Sequence, residues 1–430
     1  MHSSIHRGRV ARFITSLVLA AMASATSAAE PPLTLETALK IAETSNPQLR
    51  VAQANLAAAE GQVTDTRGLL WNNPQLKAEQ ARRKVPQPGR GDDTWSEWGA
   101  DISQTLEIAG QHGYRRSAAE QDLSALKEVV EETRWRVAAE VEQKFVRVLG
   151  LQTRTVTEAE LVGLIRNAAG AARKRFEAGE DTRLDSNLAE VELARADNQL
   201  ETAREQLIQA RAELAATLQL PAKTLPEVRG TLAPEAATPY TLEELLTAAA
   251  GRPRLRALEY HEQAARSRLG LERAAAYPDV TVGLFTAREG PGDAREQVMG
   301  FSVSLPLPLF RRNAAGIGKA VTDLTQAQIE RQVAVQDART TVLALWQRLE
   351  SLRGRVKRLE QVALQRLHEN RRLSAAAYRA GEISLTQLLL ANRQLLDIRR
   401  EALEAMTDLA LARVELEQAA GWRGQQQGAR

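Results

Sequence analysis

Leu193, Leu200, Leu207 and Leu214 stand seven residues apart, with Ala196, Ala203 and Ala210 three residues behind the first three. The spacing returns 202 residues later as Leu395, Ala402, Leu409 and Leu416, trailed by Ile398, Ala405, Ala412 and Ala419. Such spacings are the a and d positions of a heptad repeat, and the alanines let paired helices approach closely. Arg195, Glu201, Arg204 and Glu205 fill solvent-facing positions. All fifteen prolines fall within 31–88, 221–253, 278–291 and 306–308, so the tracts 89–220 and 309–430 hold none. Helices free of internal proline can run long. The pattern predicts long helices over about 116–176 and 183–220, then over about 313–378 and 384–420. About 60 residues at ~1.5 Å each make a rod of ~90 Å, too long for a compact globule.

Between the helical tracts the period changes to two. Met299, Phe301, Val303, Leu305 and Leu307 alternate with Gly300, Ser302, Ser304, Pro306 and Pro308. At an offset of 201, Trp98, Ala100, Ile102, Leu106 and Ile108 keep the same phase, with Gln104 dissenting. Together with PQLKAEQARRKV and PDVTVGLFTA upstream, this predicts two hairpins, with strands over about 74–85 and 97–108, then about 278–287 and 298–309. LTLETALKIAETSNPQLR at 33–50 also returns as YTLEELLTAAAGRPRLR at 240–256. The chain therefore reads as a duplication, with repeats over 30–220 and 240–430 and a proline-rich linker at 221–239.

Charge and composition then narrow the setting. Residues 1–29 carry Arg7, Arg9 and Arg12, an apolar run from Phe13 to Ala23 and a small-residue exit, the pattern of a secretory signal peptide cleaved after Ala29. The run is too short for a spanning helix. The net charge of +3 is those three arginines, and the chain from Glu30 onward is formally neutral. No polybasic segment remains for nucleic acid. Cysteine is absent, which excludes disulfides, thiolate metal sites, a cysteine nucleophile and lipid attachment at the cleavage point.

A membrane accepts only helices or closed barrels, because an unpaired backbone group in hydrocarbon costs several kcal/mol. The alternating strands suit an outer-membrane barrel, yet four cannot close one when single-chain barrels begin at about eight. Three chains would supply roughly twelve strands over a tube of long helices. The expected fold is thus mostly α with a small membrane β-barrel, closing as a homotrimer against outer-membrane lipid.

The motifs TLEIAGQHGYRRSAAE (105–120) and LPLPLFRRNAAGIGKA (305–320), with the paired RFEAGED and AYRAGEI turns, resemble the TolC-like outer-membrane efflux proteins over essentially the whole chain after the signal peptide. The PLPLFRRN run and the unacylated start are most similar to the heavy-metal, Czc-type branch. That resemblance implies a passive export duct in the outer membrane of a Gram-negative bacterium, with a periplasmic helical tunnel. It further implies a periplasmic adaptor (membrane fusion) protein, an inner-membrane proton-driven pump of the resistance-nodulation-division type, and heavy-metal cargo such as cobalt, zinc or cadmium. A duct for a multidrug exporter or type I secretion system shares the architecture; a soluble periplasmic coiled-coil scaffold is the alternative of another class.

Each repeat must reverse its long helix. Gly179 and Gly381 fit the left-handed position of such a turn, Phe176 and Tyr378 three residues earlier would pack it, and Asp181, Thr182 and Ser384 suit the cap of the returning helix. The resemblance assigns adaptor docking to these tips, including Glu180, Glu382 and Ile383, and a pore gate to Asp185, which has Gln387 as its counterpart. The same residues also suit helix reversal alone. His112, His261 and His368 lack metal-ligand spacing, GIGKA lacks the first glycine and final hydroxyl of a phosphate loop, and Arg90-Gly91-Asp92 lies where turn chemistry calls for Gly and Asp. Trp71, Trp95, Trp98 and Tyr277 flank the strands as candidate interface belts. No catalytic, cofactor or metal residue emerges from the sequence.

Overall fold

Each repeat opens on a short helix set by its cap. In the computed structural model, which describes residues 32–180, 182–232 and 239–422, the Thr34 hydroxyl accepts from Thr37 N to start α1 (Leu35–Ser45). Asn46 then leaves the helical region and caps α2 (Pro47–Asp65), whose first residue is a proline where the missing N–H costs nothing. The second repeat does the same with Thr241 before α5 (Leu242–Ala250), in a reciprocal cap with Glu244, and with Pro253 opening α6 (Pro253–Ala274). The proposed signal peptide lies outside the described residues.

Four antiparallel strands follow these helices in pairs: β1 (Gln75–Val85), β2 (Asp93–Leu106), β3 (Val280–Glu289) and β4 (Glu296–Ser304). They form one sheet in the order β1-β2-β3-β4, so the hairpins of the two repeats join through β2 and β3. Cross-strand register sorts most side chains by face in the middle of the sheet, although Phe285 falls on the polar side beside Asp101 and Arg288 on the apolar side beside Trp98. Leu76, Ile102, Leu284 and Phe301 lie opposite one another across all four strands, and Ala78, Ala100, Thr286 and Met299 form the next row on that face. Met299 and Phe301 are 76% and 77% exposed. The other face carries Lys77, Glu79, Asp101, Ser103, Gly283 and Ser302, with Lys77 Nζ 2.8 Å from Glu79. From Leu106 to Trp98 the apolar face covers ~27 Å of strand at ~3.4 Å per residue, or ~21 Å of height at a barrel tilt of ~40°, most of the ~25 Å apolar band of an outer-membrane barrel.

Several sequence expectations change here. β4 ends at Ser304 although the alternation continues through Leu309, because Pro306 and Pro308 have no N–H to extend a ladder. β2 begins at Asp93 rather than about 97. Gln104, the polar residue on the apolar face, donates from Nε2 to the carbonyls of Asn72 and Thr105, so its amide is satisfied at the rim. Trp95 lies on the polar face and donates to Glu97 at 2.7 Å, which removes it from a lipid belt, whereas Trp98 stays on the apolar face. Arg83 pairs with Glu97 and Lys84 with Asp92, so this basic run sits at the loop end of β1 and Asp92 of the Arg-Gly-Asp tripeptide is already engaged.

The long helices are α3 (Gln111–Glu177), α4 (Arg183–Thr217), α7 (Ala314–Arg358), α8 (Gln365–Arg379) and α9 (Leu385–Ala420). At 67 residues, α3 spans ~100 Å. The helix expected over 313–378 is interrupted: Leu359–Leu364, between α7 and α8, is a π-helical turn. The heptad seams pack as predicted. Ala196, Leu200, Ala203, Leu207, Ala210 and Leu214 are buried on α4, as are Leu395, Ala402, Ala405, Ala412, Leu416 and Ala419 on α9. Near the sheet, α3 packs between α2 and α6, and α6 on α7; farther away, α3 packs on α4 and α9, and α9 on α7 and α8. Four helices thus make up the cross-section at each level. The linker is fastened too: Leu33 N donates to Glu227 O at 2.6 Å and Arg229 N to Leu33 O at 2.9 Å.

The motif residues at 105–120 build the joint between sheet and helices. Arg115 makes two bonds of 2.8 and 2.9 Å to Glu107 while stacking over Trp71 at 4.0 Å. Buried Gln111 donates to Asp279 at 3.0 Å and so ties the start of α3 to the strand of the other repeat. Tyr114 packs where Gly270 of α6 leaves no side chain; a Cβ there would lie 2.5 Å from the ring.

Candidate functional site: the paired helix-reversal tips

Both reversals share one backbone device. Gly179 has φ +78° and Gly381 φ +79°, the left-handed region that a side chain disfavours. Gly179 N donates to Phe176 O and Glu180 N to Arg175 O; Gly381 N donates to Tyr378 O and Glu382 N to Ala377 O. These bonds satisfy carbonyls that the last helical turn leaves open. Thr182 and Ser384 then cap α4 and α9, accepting from the amides of Asp185 and Gln387 respectively.

Asp185 and Gln387 therefore occupy the same third helical position and both serve the cap. The Thr182 hydroxyl donates to Asp185 Oδ2 at 2.6 Å, and Gln387 Oε1 accepts from Ser384 N at 2.9 Å. A carboxylate at this end of a helix also meets the positive end of its dipole. Asp181 lies outside the described residues.

The two tips are packed together, a feature that the sequence concealed. Tyr378, Leu385, Leu388 and Leu389 of the second tip share a cluster with Ala169, Ala172 and Ala189 of the first, with Ile383 packed against it. The Arg175 guanidinium lies 5.2 Å from the Tyr378 ring centroid and 3.4 Å from Glu180. Tyr378 is buried, while its counterpart Phe176 is 39% exposed and does not pack the turn as expected. Glu180 and Glu382 are exposed at the two apices. The second tip is thus clamped on the first, leaving Phe176 and both acids accessible.

Farther up the tunnel, buried Glu158 of α3 accepts from Arg400 of α9 through both oxygens, each at 2.6 Å. Arg400 also bonds Gln199 of α4 and Asp397. Nothing distinguishes these charges in sequence from the solvated ones around them; only a buried carboxylate partner does. His368 Nε2 sits 3.3 Å from Arg399, and burial together with Arg399 and Arg371 holds its imidazole below the ordinary value. Among the described residues no three His, Cys, Asp or Glu side chains converge as for a metal ion.

Comparison with known proteins places this geometry. Residues 38–218 and 245–422 each match the family described as Outer membrane efflux protein. The cobalt-zinc-cadmium resistance protein CzcC of Cupriavidus metallidurans is 27% identical over 372 residues, covering 86% of this chain and 85% of its own. The nickel-cobalt-cadmium resistance protein NccC of Alcaligenes xylosoxydans xylosoxydans is 25% identical over 317 residues, covering 73% of this chain and 69% of its own. A crystal structure of CusC, in work on its folding and transmembrane channel formation, superposes with a TM-score of 0.75 at 20% identity, over 90% of this chain and 91% of that one. The duplicated architecture is that TolC-like fold, and with both repeats matched over most of the sequence the chain belongs to the outer membrane efflux protein family.

Proposed function

We propose that three copies of this chain form a passive duct that carries divalent heavy-metal cations from the periplasm to the exterior. The observation that carries the duct is the sheet: it is amphipathic, covers most of the height of an outer-membrane apolar band, and leaves β1 and β4 open at its two edges. Open strand edges are not tolerated in hydrocarbon. Pairing β1 of one protomer with β4 of the next closes about twelve strands around a polar interior, with about twelve helices beneath. The cargo rests on the relatives whose names specify cobalt, zinc, cadmium and nickel resistance. A conduit needs no tight metal site.

The exposed apices, Phe176, Gly179, Glu180 and Thr182 with Gly381, Glu382 and Ser384, together with half-buried Ile383, are the surface offered to a periplasmic adaptor, which links the duct to a proton-driven inner-membrane pump. Tyr378 supports this surface from within, and the docking role expected of Asp181 from the sequence falls on a residue outside the described ones. Three copies of Asp185 make the acidic element of the pore mouth. Asp185→Ala in planar bilayers is expected to move the reversal potential away from the cation side; an unchanged potential assigns Asp185 to capping alone.

The cysteine-free chain makes the barrel directly testable. Paired cysteines introduced along β1 and β4 are expected to give covalent dimers and trimers on oxidation in membranes, because opposite edges meet only between protomers. Monomer at every register would contradict the closed barrel.

A further inference from the structure

The sheet segregates its charges by face. Glu79, Asp93, Glu97, Asp101, Glu289 and Glu296 all fall on the face that turns to the lumen once the barrel closes, and no acidic residue falls on the outward face of any strand. The outward face nevertheless carries cations. Cross-strand register puts Arg288 of β3 in the row Gln80, Trp98, Arg288 and Gln297, at the end of the apolar face nearest the hairpin loops, and puts Arg82 of β1 in the next row, opposite Ser96. Both arginines are exposed. Arg83 and Lys84 beside them pair with Glu97 and Asp92, whereas Arg82 and Arg288 have no ion-pair partner among the described residues. Closing the barrel supplies none, since the outward residues of β4, the strand that meets β1 of the next protomer, are Gln297, Met299, Phe301 and Val303. Basic residues on an open edge strand discourage unwanted pairing. That accounts for Arg82 but not for Arg288, whose strand is paired on both sides.

Depth identifies what faces them. Helices leave the sheet at one end and the hairpin loops close it at the other, so the loop end looks out of the cell. An arginine on the lipid face is costly at the bilayer midplane and nearly free at the interface. Both arginines stand at that interface, among the head groups of the outer leaflet, and a guanidinium bonds phosphate through two parallel N–H groups. Two strand spacings and two residues of rise separate their Cα atoms, ~12 Å in all. A disaccharide with a phosphate at each end bridges such a gap. Between the two arginines, exposed Trp98 presents an indole face on which a sugar ring or the first acyl carbons rest.

We propose that Arg82, Trp98 and Arg288 form an outward site for the bisphosphorylated glucosamine lipid of the outer leaflet, one on each protomer. The proposal rests on the reading of the sheet as part of a membrane barrel and is independent of the exported cargo.

The test is native mass spectrometry of the full trimer, stripped of lipid in detergent and titrated separately with lipid A bearing two phosphates, with its monophosphoryl form and with phosphatidylglycerol. The expected result is three tightly held molecules of the bisphosphorylated lipid per trimer and at least tenfold weaker binding of the other two lipids. Arg82→Gln combined with Arg288→Gln is expected to weaken the bisphosphorylated lipid at least tenfold, while Lys77→Gln on the lumen face leaves it unchanged. Equal affinity of the native trimer for the bisphosphoryl and monophosphoryl forms overturns the site, as does a double variant that binds like the native protein. Equally tight phosphatidylglycerol also overturns it, because any anionic head group then suffices. If the double variant does not assemble, the comparison of lipids on the native trimer decides alone. A native chain that forms no trimer and takes up no lipid overturns the barrel and the site together; a trimer that binds all three lipids alike overturns the site alone.

Discussion

Arg400→Ala is expected to loosen the tunnel where the two repeats meet, by about 3 kcal/mol. The reason is asymmetric burial: the Glu158 side chain is 2% exposed and the Arg400 side chain 21%. Removing the guanidinium leaves a buried carboxylate whose other basic neighbour, Arg154, is 3.9 Å away, too far to replace two bonds of 2.6 Å. Breaking one side of a buried pair costs about 3–5 kcal/mol, and the partial exposure of Arg400 argues for the lower end. Amide exchange in α9 around Ile398–Ala405 should accelerate about 100-fold, the equivalent of that energy at ~1.4 kcal/mol per decade. The double replacement Glu158→Gln with Arg400→Met should recover most of the protection, because neither residue then buries a charge. Native exchange in the single variant would show that packing alone holds the hairpins together.

The second large effect is expected at the turn. Gly381→Pro cannot adopt φ +79°, since proline fixes φ near −65°, and it deletes the N–H that donates to Tyr378 O at 3.1 Å. The local cost is about 3 kcal/mol, set against helices ~100 Å long whose seams lie elsewhere. Trimer formation and membrane insertion should survive on gels of membrane fractions while export falls to the level of a strain lacking the protein. Gly179→Pro should behave alike, since its turn has the same bonds. Loss of the trimer in both variants would make the turns folding elements rather than a docking surface.

Periodicity made most of the fold legible in advance. Seven-residue spacing predicted the seams of α4 and α9, alternation predicted β2 and β4, the proline-led segments upstream supplied β1 and β3, and the paired Gly–x–x–Thr/Ser spellings predicted the left-handed turns and their caps. Departures arise where a local rule meets a contact from distant sequence. Phe176 and Tyr378 are equivalent in spelling, yet only Tyr378 is buried, because the second tip leans on the first. Trp95 and Trp98 both flank strands, but residues three apart face opposite sides of a sheet. Alternation past Ser304 reads as strand until the missing N–H groups of Pro306 and Pro308 are counted. The π turn had a signal in the two offsets of 201 and 202, although no residue type marks its position. Glu158 and Arg400 carried none.

Cellular metal content tests the central claim most directly: a strain lacking this protein against its complemented parent, challenged in turn with cobalt, zinc, cadmium, nickel and copper. The account predicts that at least one of these metals accumulates in the deletion strain and returns to the parental level on complementation. Unchanged content of all five metals, with redundant outer-membrane ducts removed and a dye or drug accumulating instead, would contradict it.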